Sequence, residues 1–157
     1  MLAIGDPAPN FTLQDQHGQP VTLSDFAGRQ SVILFFYPFA FSRVCTSELH
    51  EIRDNLGDLN SETSLLLAVS CDHMFSLRAY AEQDQLDFPL LSDFWPHGRV
   101  SREYGFFNEQ LGCSRRATCI IDRAGVVRWL VENAMPQARN LAEYRVVLEG
   151  LDTETAP

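Results

Sequence analysis

Hydrophobic and polar residues follow patterns along the chain that predict strands alternating with helices. The segment FTLQDQHGQPVTL alternates apolar and polar residues around a polar centre, which is typical of a β-hairpin. SVILFFY and SLLLAVS are apolar over most of their length, as expected for strands that are buried on both faces of a sheet. FPLLSD predicts a shorter strand, and WPHG predicts a turn after it. ATCIIDRAGVVRWLVE predicts two strands joined by a tight turn at residues 122–125.

Amphipathic segments between the strands predict helices. Over residues 44–56, apolar side chains recur on one helical face, and Gly57 follows as the expected C-terminal stop. The residues of this face are Cys45, Leu49, Ile52 and Leu56. Shorter helices are predicted at residues 76–83 and 100–104. A final helix is predicted by the apolar stripe of Leu141, Tyr144, Val147, Leu148 and Leu151.

The order of these elements predicts the fold. A hairpin, a strand–helix–strand unit, a further strand, a second hairpin and a last helix suit an elaborated thioredoxin-like α/β fold. We expect a central mixed sheet flanked by helices, with the first hairpin as an N-terminal extension. The 157 residues, of which 45% are hydrophobic, suffice for one core, so we expect a single domain over residues 1–157.

Charge and composition exclude several classes of function. The net charge of −9 would repel phosphate, so nucleic acid is not an expected partner. No apolar stretch approaches the roughly 20 residues that cross a bilayer, so no membrane partner is expected either. The N-terminal MLAIGDPAPNF lacks the basic and apolar regions of a signal peptide, and we expect a cytoplasmic protein.

The chain has four cysteines, Cys45, Cys71, Cys113 and Cys119, and none forms a C-x-x-C pair. This spacing offers neither a zinc knuckle nor a dithiol redox motif. The four histidines are scattered, so we expect no metal and no cofactor. In a reducing cytoplasm the cysteines should rest as free thiols.

Cys45 follows a buried strand at the predicted start of a helix, and this position has two interpretations. A cysteine on the apolar face of a helix is often a structural core residue. The first turn of a helix, however, has unpaired N–H groups and a positive dipole end, both of which favour a thiolate nucleophile. Pro38 ends the strand, and Ser42 is well placed to cap the helix or to reach the sulfur. Ligand sites in α/β sheets also lie at the carboxyl ends of strands.

The segment PFAFSRVC, from Pro38 to Cys45, resembles the peroxiredoxin active-site motif P-x-x-x-T/S-x-x-C. IGDPAPNFTL is similar to the family's N-terminal motif, Glu48 stands three residues after the cysteine as in the family, and RATCIID places Arg116 just before a strand. FPLLSDFWPHG and YGFFNEQLG resemble the alkyl hydroperoxide reductase E-like one-Cys peroxiredoxins. The resemblance covers nearly the whole chain.

The resemblance implies a thiol-dependent peroxidase that reduces hydrogen peroxide and organic hydroperoxides. Cys45 would attack the peroxide and become a sulfenic acid. Arg116 would stabilise the thiolate and hold the peroxide, Ser42 would donate to a peroxide oxygen, and Pro38 would shape the loop. Glu48 would orient an arginine.

Each assignment has a structural alternative. Arg116 could be an ordinary surface charge, although Arg115 is the more natural surface residue. Ser42 could be a cap only, and Glu48 a solvated helix residue. Ser42 stands where threonine is commoner in the family. Serine samples more χ1 rotamers than threonine, so its hydroxyl is a less rigid donor, and the sequence does not fix the rate of peroxide reduction.

Reduction of the sulfenic acid is predicted to need an external thiol. His50 occupies one position where relatives carry a resolving cysteine, and no cysteine follows Cys119. A glutaredoxin- or thioredoxin-like partner is expected, such as mycoredoxin acting with mycothiol. Cys113, in the glycine-containing loop QLGCSRR, is kept as a second candidate for resolution, whereas Cys71 is expected to be buried.

Three other functions remain open at this point. The chain could be a redox sensor, or a specialised thioredoxin-fold protein that uses Cys45 without peroxidase turnover. A thioredoxin-like disulfide reductase would need a second cysteine where Glu48 stands. Relatives are dimers, so a homodimer is expected, with Phe41 and Trp95 as candidates for a shared surface.

Overall fold

The chain folds into nine strands and five helices over residues 2–155, the part that the computed structural model describes. The strands are β1 (Thr12–Gln14), β2 (Pro20–Thr22), β3 (Ser31–Phe36), β4 (Ser64–Ser70), β5 (Leu90–Ser92), β6 (Phe107–Asn108), β7 (Cys113–Ser114), β8 (Ala117–Ile121) and β9 (Val127–Glu132). The helices are α1 (Arg43–Asp54), α2 (Leu56–Leu59), α3 (Met74–Asp84), α4 (Arg99–Glu103) and α5 (Leu141–Thr155). A short 3-10 turn covers Leu23–Phe26.

Seven strands form one mixed sheet in the order β2-β1-β5-β4-β3-β8-β9. β3 pairs in parallel with β4 and antiparallel with β8, so that Phe35 lies between Ala68 and Thr118. All six residues of β3 are buried, because both edges of the strand are paired and both faces are covered. The predicted mixed sheet with an N-terminal hairpin is confirmed: β1 and β2 form that hairpin and join the sheet through β5.

Two hydrophobic clusters cover the two faces of the sheet. Alternate residues of β3 point to opposite faces, so Ile33 and Phe35 enter one cluster while Leu34 and Phe36 enter the other. The first cluster also holds the apolar faces of α1, α3 and α5. Cys45 belongs to this cluster, which places α1 directly against the sheet.

Two local predictions are wrong. Gly57 does not end the first predicted helix: α1 ends at Asp54, Asn55 follows it, and Gly57 lies inside the short helix α2. The small hairpin of β6 and β7 was not predicted, and Cys113 lies in this hairpin rather than in a loop. Main-chain pairing of Cys113 with Asn108 explains the difference, because a two-residue strand leaves no periodic pattern in the sequence.

Within residues 2–155, no helix is both long enough and apolar enough to cross a membrane. The prediction of one domain over residues 1–157 extends past both ends of this range, because residues 1, 156 and 157 lie outside the described residues. It therefore stays a prediction.

Candidate active site

The site lies where β3 passes into α1. Tyr37 and Pro38 continue the buried path of β3, and the chain then turns through an exposed loop. The carboxylate of Asp72, just beyond β4, accepts a hydrogen bond of 2.8 Å from the N–H of Ala40 and so ties this loop to the neighbouring strand. Phe41 has a φ of 68°, a left-handed conformation that is unusual for a residue with a side chain. The loop thus holds a strained turn immediately before the helix.

Cys45 is the third residue of α1, and its side chain is fully buried. Its N–H belongs to the first helical turn, where backbone donors have no acceptor within the helix. Cys45 therefore lies on the apolar face of α1, as a core residue would, and also in the first turn of the helix, where a nucleophile is expected. The side chain of Arg116 donates to it, with 3.4 Å between Nη2 and Sγ.

Arg116 comes directly before β8 and is 2% exposed. Its Nε donates to the carbonyl oxygen of Met135 at 2.8 Å, and its Nη1 donates to the carboxylate of Glu48. These contacts use separate N–H groups of the guanidinium, so the side chain is held from three directions. β3 and β8 are paired antiparallel, with Phe36 at the end of β3 opposite Ala117 at the start of β8. Arg116 therefore lies at the end of the strands where α1 begins.

Arg139, which the sequence did not single out, completes the cluster. Its backbone N–H and Nε donate to Oε2 of Glu48 at 2.8 Å and 2.9 Å, and its Nη2 donates to Oε1 at 3.1 Å. The guanidinium carbon lies 3.4 Å from the centre of the Phe35 ring. Arg139 stands in the segment MPQARN, which has no helical or strand periodicity, so no local signal marks it as buried.

Charge in this cluster is balanced when Cys45 is a thiolate. Glu48, Arg116 and Arg139 are each at least 95% buried, and Glu48 is a single carboxylate between two guanidinium groups. A buried charge is costly unless it is paired and hydrogen-bonded. Glu48 carries one negative charge and the two arginines carry two positive charges, so one positive charge is not balanced by Glu48. The sulfur of Cys45 contacts Arg116 and could carry the balancing negative charge. The guanidinium of Arg116 is therefore placed to stabilise negative charge that develops on this sulfur.

Ser42 is the residue that precedes α1, but its side chain makes no capping hydrogen bond. Its carbonyl oxygen accepts the first helical hydrogen bond from Thr46 at 2.8 Å, so the position is that of a cap while the hydroxyl stays available. Ser42 lines a cleft beside the N-terminus of α1. The cleft measures about 340 Å³ and is lined by Pro38, Phe39, Ser42, Arg43, Val44, Arg116, Met135 and Pro136.

A separate cavity of about 160 Å³ lies near the start of β3, between Val32 and Ile121. It is at the opposite end of the strand from Pro38. No cluster of three or more His, Cys, Asp or Glu side chains suited to a metal ion occurs among the residues that are described.

The other three cysteines are buried and lack the arginine that Cys45 has. Burial raises the pKa of Cys71, and it raises the pKa of Cys119 to about 12. Burial, and then the charges of Cys71 and Cys45, raise the pKa of Cys113 to about 11. All three are thus poor nucleophiles at neutral pH, since the thiolate is the reactive form.

Cys113, the second candidate for resolution, lies in strand β7 and not in a loop. The residue is fully buried in β7, so it could approach another thiol only if the β6–β7 hairpin opened. Cys71 is 6% exposed, and its sulfur lies 3.5 Å from the hydroxyl of Ser114.

The remaining candidates separate clearly by exposure. Arg115 points outward and pairs with Glu132 on β9 at 3.3 Å, as the interpretation of Arg115 as a surface residue predicts. Phe41 and Trp95 are not core residues, since they are 49% and 81% exposed. The ring of Phe41 lies 4.7 Å from that of Tyr80, centre to centre.

Comparison with known proteins gives consistent results. The family described as AhpC/TSA matches residues 4–130 of the chain. Alkyl hydroperoxide reductase E of Mycobacterium tuberculosis (strain ATCC 25618 / H37Rv) is 42% identical over 156 residues, which cover 99% of this chain and 100% of that protein. Chloroplastic peroxiredoxin Q of Triticum aestivum is 32% identical, over 94% of this chain and 67% of that protein.

Solved structures agree with this comparison. The peroxidoxin BcpB of Mycobacterium tuberculosis superposes with a TM-score of 0.81 at 29% identity, covering 99% of this chain and 100% of that one. The reduced 2-Cys peroxiredoxin of Plasmodium vivax superposes with a TM-score of 0.89 at 25% identity, covering 98% of this chain and 84% of that one. The predicted thioredoxin-like α/β class is confirmed by these neighbours.

Proposed function

The chain belongs to the AhpC/TSA family and is a thiol-dependent peroxidase of the peroxiredoxin type, and we propose that Cys45 is its nucleophile. The observation that carries this assignment is the 3.4 Å contact between Arg116 Nη2 and the sulfur of Cys45. The contact supports the thiolate in a setting where the other three cysteines have raised pKa values. We propose hydrogen peroxide and organic hydroperoxides as substrates.

In the proposed reaction, the thiolate of Cys45 attacks the terminal oxygen of the peroxide. A sulfur–oxygen bond forms, the oxygen–oxygen bond breaks, and its electron pair leaves with the departing oxygen, which takes up a proton to give water or an alcohol. Sulfur is oxidised to the sulfenic acid and the peroxide is reduced. Negative charge moves from sulfur to the leaving oxygen, so donors that can follow the charge lower the barrier.

Arg116 is the principal donor in this proposal, because its guanidinium stays charged and presents several N–H groups in a fixed plane. Ser42 donates to a peroxide oxygen from the cleft, which agrees with its unused capping role. Pro38 has no N–H and, being buried, keeps water from the thiolate. Glu48 acts as a positioning residue that holds the guanidinium of Arg116, and Arg139 in turn holds Glu48.

We propose that an external thiol returns the enzyme to its starting state. The thiol sulfur attacks the sulfenic acid, water leaves, and a second thiol exchanges with the mixed disulfide to release Cys45. A glutaredoxin- or thioredoxin-like protein would supply these electrons, in the cytoplasm. Burial of Cys71 and Cys113 supports an external source over an internal one. Exposure of Phe41 and Trp95 supports the further proposal that the protein forms a homodimer and that these side chains take part in the interface.

Intact mass after one equivalent of hydrogen peroxide tests the proposal. The wild-type protein should gain one oxygen in the absence of thiol and lose it when thiol is added. Cys45→Ser should gain none while keeping its thermal unfolding transition. Oxygen uptake by Cys45→Ser at the wild-type rate would overturn the assignment, and a mass loss of two hydrogen atoms in the wild-type protein would indicate an internal disulfide instead.

A further inference from the structure

We propose that Met135 is a site of oxidation by peroxide, and that its conversion to methionine sulfoxide slows the oxidation of Cys45 by disturbing Arg116. The proposal rests on the peroxidase function described above and adds a modification site that regulates it. Methionine sulfoxide is reduced back by dedicated enzymes, so the modification acts as a reversible brake when peroxide is abundant.

Met135 lies beside the residues that are proposed to hold the peroxide. It is half-buried and lines the cleft at the N-terminus of α1, together with Ser42 and Arg116. A water molecule occupies only about 30 Å³ in the liquid, so a cleft of about 340 Å³ admits a peroxide. A peroxide held by Ser42 and Arg116 is therefore also held beside the methionine.

The thioether of methionine reacts with peroxide without first losing a proton. Its sulfur attacks the terminal oxygen, a sulfur–oxygen bond forms, and the oxygen–oxygen bond breaks. The electron pair of the broken bond leaves with the second oxygen, and the proton of the attacked oxygen passes to it to give water or an alcohol. Sulfur is oxidised to the sulfoxide and the peroxide is reduced. The N–H groups of Arg116 can stabilise the departing oxygen in this step as well.

The backbone around Met135 supports Arg116. The carbonyl oxygen of Met135 accepts a hydrogen bond of 2.8 Å from Nε of Arg116. The N–H of Asn133 donates to the carbonyl oxygen of Arg116, also at 2.8 Å. Met135 itself lies in a turn that is closed by a hydrogen bond of 2.9 Å from the N–H of Gln137 to the carbonyl oxygen of Ala134. A change at the side chain of Met135 therefore acts on a turn that holds Arg116.

The same segment continues to Arg139, which holds Glu48 through its backbone N–H and its Nε at 2.8 Å and 2.9 Å. Oxidation makes the apolar side chain of Met135 polar. The sulfoxide oxygen accepts hydrogen bonds, so it competes with the peroxide for the donors of Arg116 in the same cleft. We therefore expect the guanidinium to lose its fixed position against Cys45, and the oxidation of Cys45 to slow.

Met74 provides a comparison within the same chain. It is half-buried like Met135, and it also lines a pocket, of about 240 Å³. Among the described residues, no arginine lines that pocket. Exposure alone would oxidise the two methionines at similar rates, whereas a position beside the donors for peroxide favours Met135.

Peptide masses after peroxide treatment test the first part of the proposal. Cys45→Ser is treated with excess hydrogen peroxide, because this variant does not consume peroxide at Cys45. We expect Met135 to be oxidised faster than Met74 in the folded protein, and at the same rate as Met74 in the unfolded protein. A ratio of the two rates that is the same in folded and unfolded protein would overturn the proposal.

Two variants test the effect on Cys45, Met74→Leu and Met135→Leu. Each is partly oxidised with peroxide and then treated with a small thiol, which reduces the sulfenic acid but leaves methionine sulfoxide in place. The protein is mixed with one equivalent of hydrogen peroxide and quenched at intervals, and its free thiols are alkylated before intact mass is measured. The number of alkyl groups reports the state of Cys45, and an added oxygen reports the sulfoxide. Molecules with and without sulfoxide are thus followed in one sample.

In Met74→Leu, Cys45 should be oxidised about tenfold more slowly in molecules with sulfoxide than in those without, the factor that corresponds to losing one hydrogen bond to a charged group. In Met135→Leu the two kinds of molecule should react at the same rate. Methionine sulfoxide reductase should remove the difference in Met74→Leu, because it takes away the added oxygen alone.

Three results would overturn the second part of the proposal. They are equal rates for the two kinds of molecule in Met74→Leu, an equal slowing by sulfoxide in Met135→Leu, and slow oxidation that persists after the sulfoxide has been reduced. Failure of every peroxide to oxidise Cys45 in untreated protein would refute the peroxidase assignment instead, so the two failures are distinguishable.

Discussion

Replacing Arg116 by methionine removes the guanidinium from Cys45 while keeping a side chain of similar length and apolar character. Nη2 of Arg116 lies 3.4 Å from Sγ of Cys45. Two opposite unit charges at this distance attract each other by about 5 kcal/mol at an effective dielectric constant of about 20. Glu48 contacts the same guanidinium and offsets part of that attraction. In the transition state the negative charge is shared between sulfur and the departing oxygen, and Arg116 can donate to both. We expect the loss typical of one fixed donor to developing charge, about 2.7–4 kcal/mol, or roughly 10²–10³ in the rate of Cys45 oxidation.

Arg115→Met is the matched control. Arg115 is the preceding residue, but its side chain is about half exposed and pairs with Glu132 at the surface. An exposed pair of this kind contributes about 0–1 kcal/mol to stability, and it touches no reacting atom. The rate of Arg115→Met should therefore stay within about threefold of the wild type.

The assay is the first turnover alone: reduced protein is mixed with hydrogen peroxide, quenched at intervals and measured by intact mass. Thermal unfolding must be recorded in parallel, because Arg116→Met also removes buried hydrogen bonds worth about 1–3 kcal/mol. Glu48 keeps its contacts to Arg139 in the variant, so we expect the fold to persist. Equal and small effects of Arg116→Met and Arg115→Met on the rate would refute the role of Arg116 in charge stabilisation.

Three further outcomes can be measured on the same protein. Ser42→Asp should slow Cys45 oxidation at least about tenfold with little change in thermal stability. Aspartate caps a helix as well as serine does, but it brings a negative charge and no hydrogen-bond donor. A rate equal to that of the wild type would leave Ser42 without a catalytic role. Arg139→Met should slow the same step less than Arg116→Met does, because it acts through Glu48, and an effect larger than that of Arg116→Met would contradict this order. The pKa of Cys119 is about 12 in the folded protein and about 8.5 when unfolded, so the unfolded chain loses this proton first and the free energy of unfolding falls as pH rises between those values. Cys119→Ala should therefore reduce the loss of stability between pH ~8.5 and ~10.5 by about 2 kcal/mol in chemical denaturation, and an unchanged loss would show that other groups cause it.

The local sequence was sufficient for most of the framework. β3 and β4 are recognisable because a strand that is buried on both faces must be apolar at nearly every position. The start of α1 close to Cys45 was also predictable, because Pro38 and Ser42 act on the backbone within a few residues. These are short-range effects, and a pattern read over a few residues contains them.

The pairing of Cys45 with Arg116 was anticipated only through resemblance to a family. The two residues are 71 positions apart, and no periodicity relates them. Antiparallel pairing puts the start of β8, which Arg116 precedes, beside the end of β3, which leads to Cys45. The sequence favoured Arg115 as the surface residue of the two, and the structure shows Arg115 at the surface and Arg116 buried.

Only the tertiary structure revealed Arg139 and the burial of Cys113. Arg139 reaches Glu48 across 91 positions from a segment without periodicity, and a charged residue is expected at the surface unless a partner is known. Cys113 follows a glycine, as loop residues often do, but pairing with β6 and packing beneath it exclude water. Both depend on contacts between distant segments, because burial is a property of the assembled core and not of the residue itself.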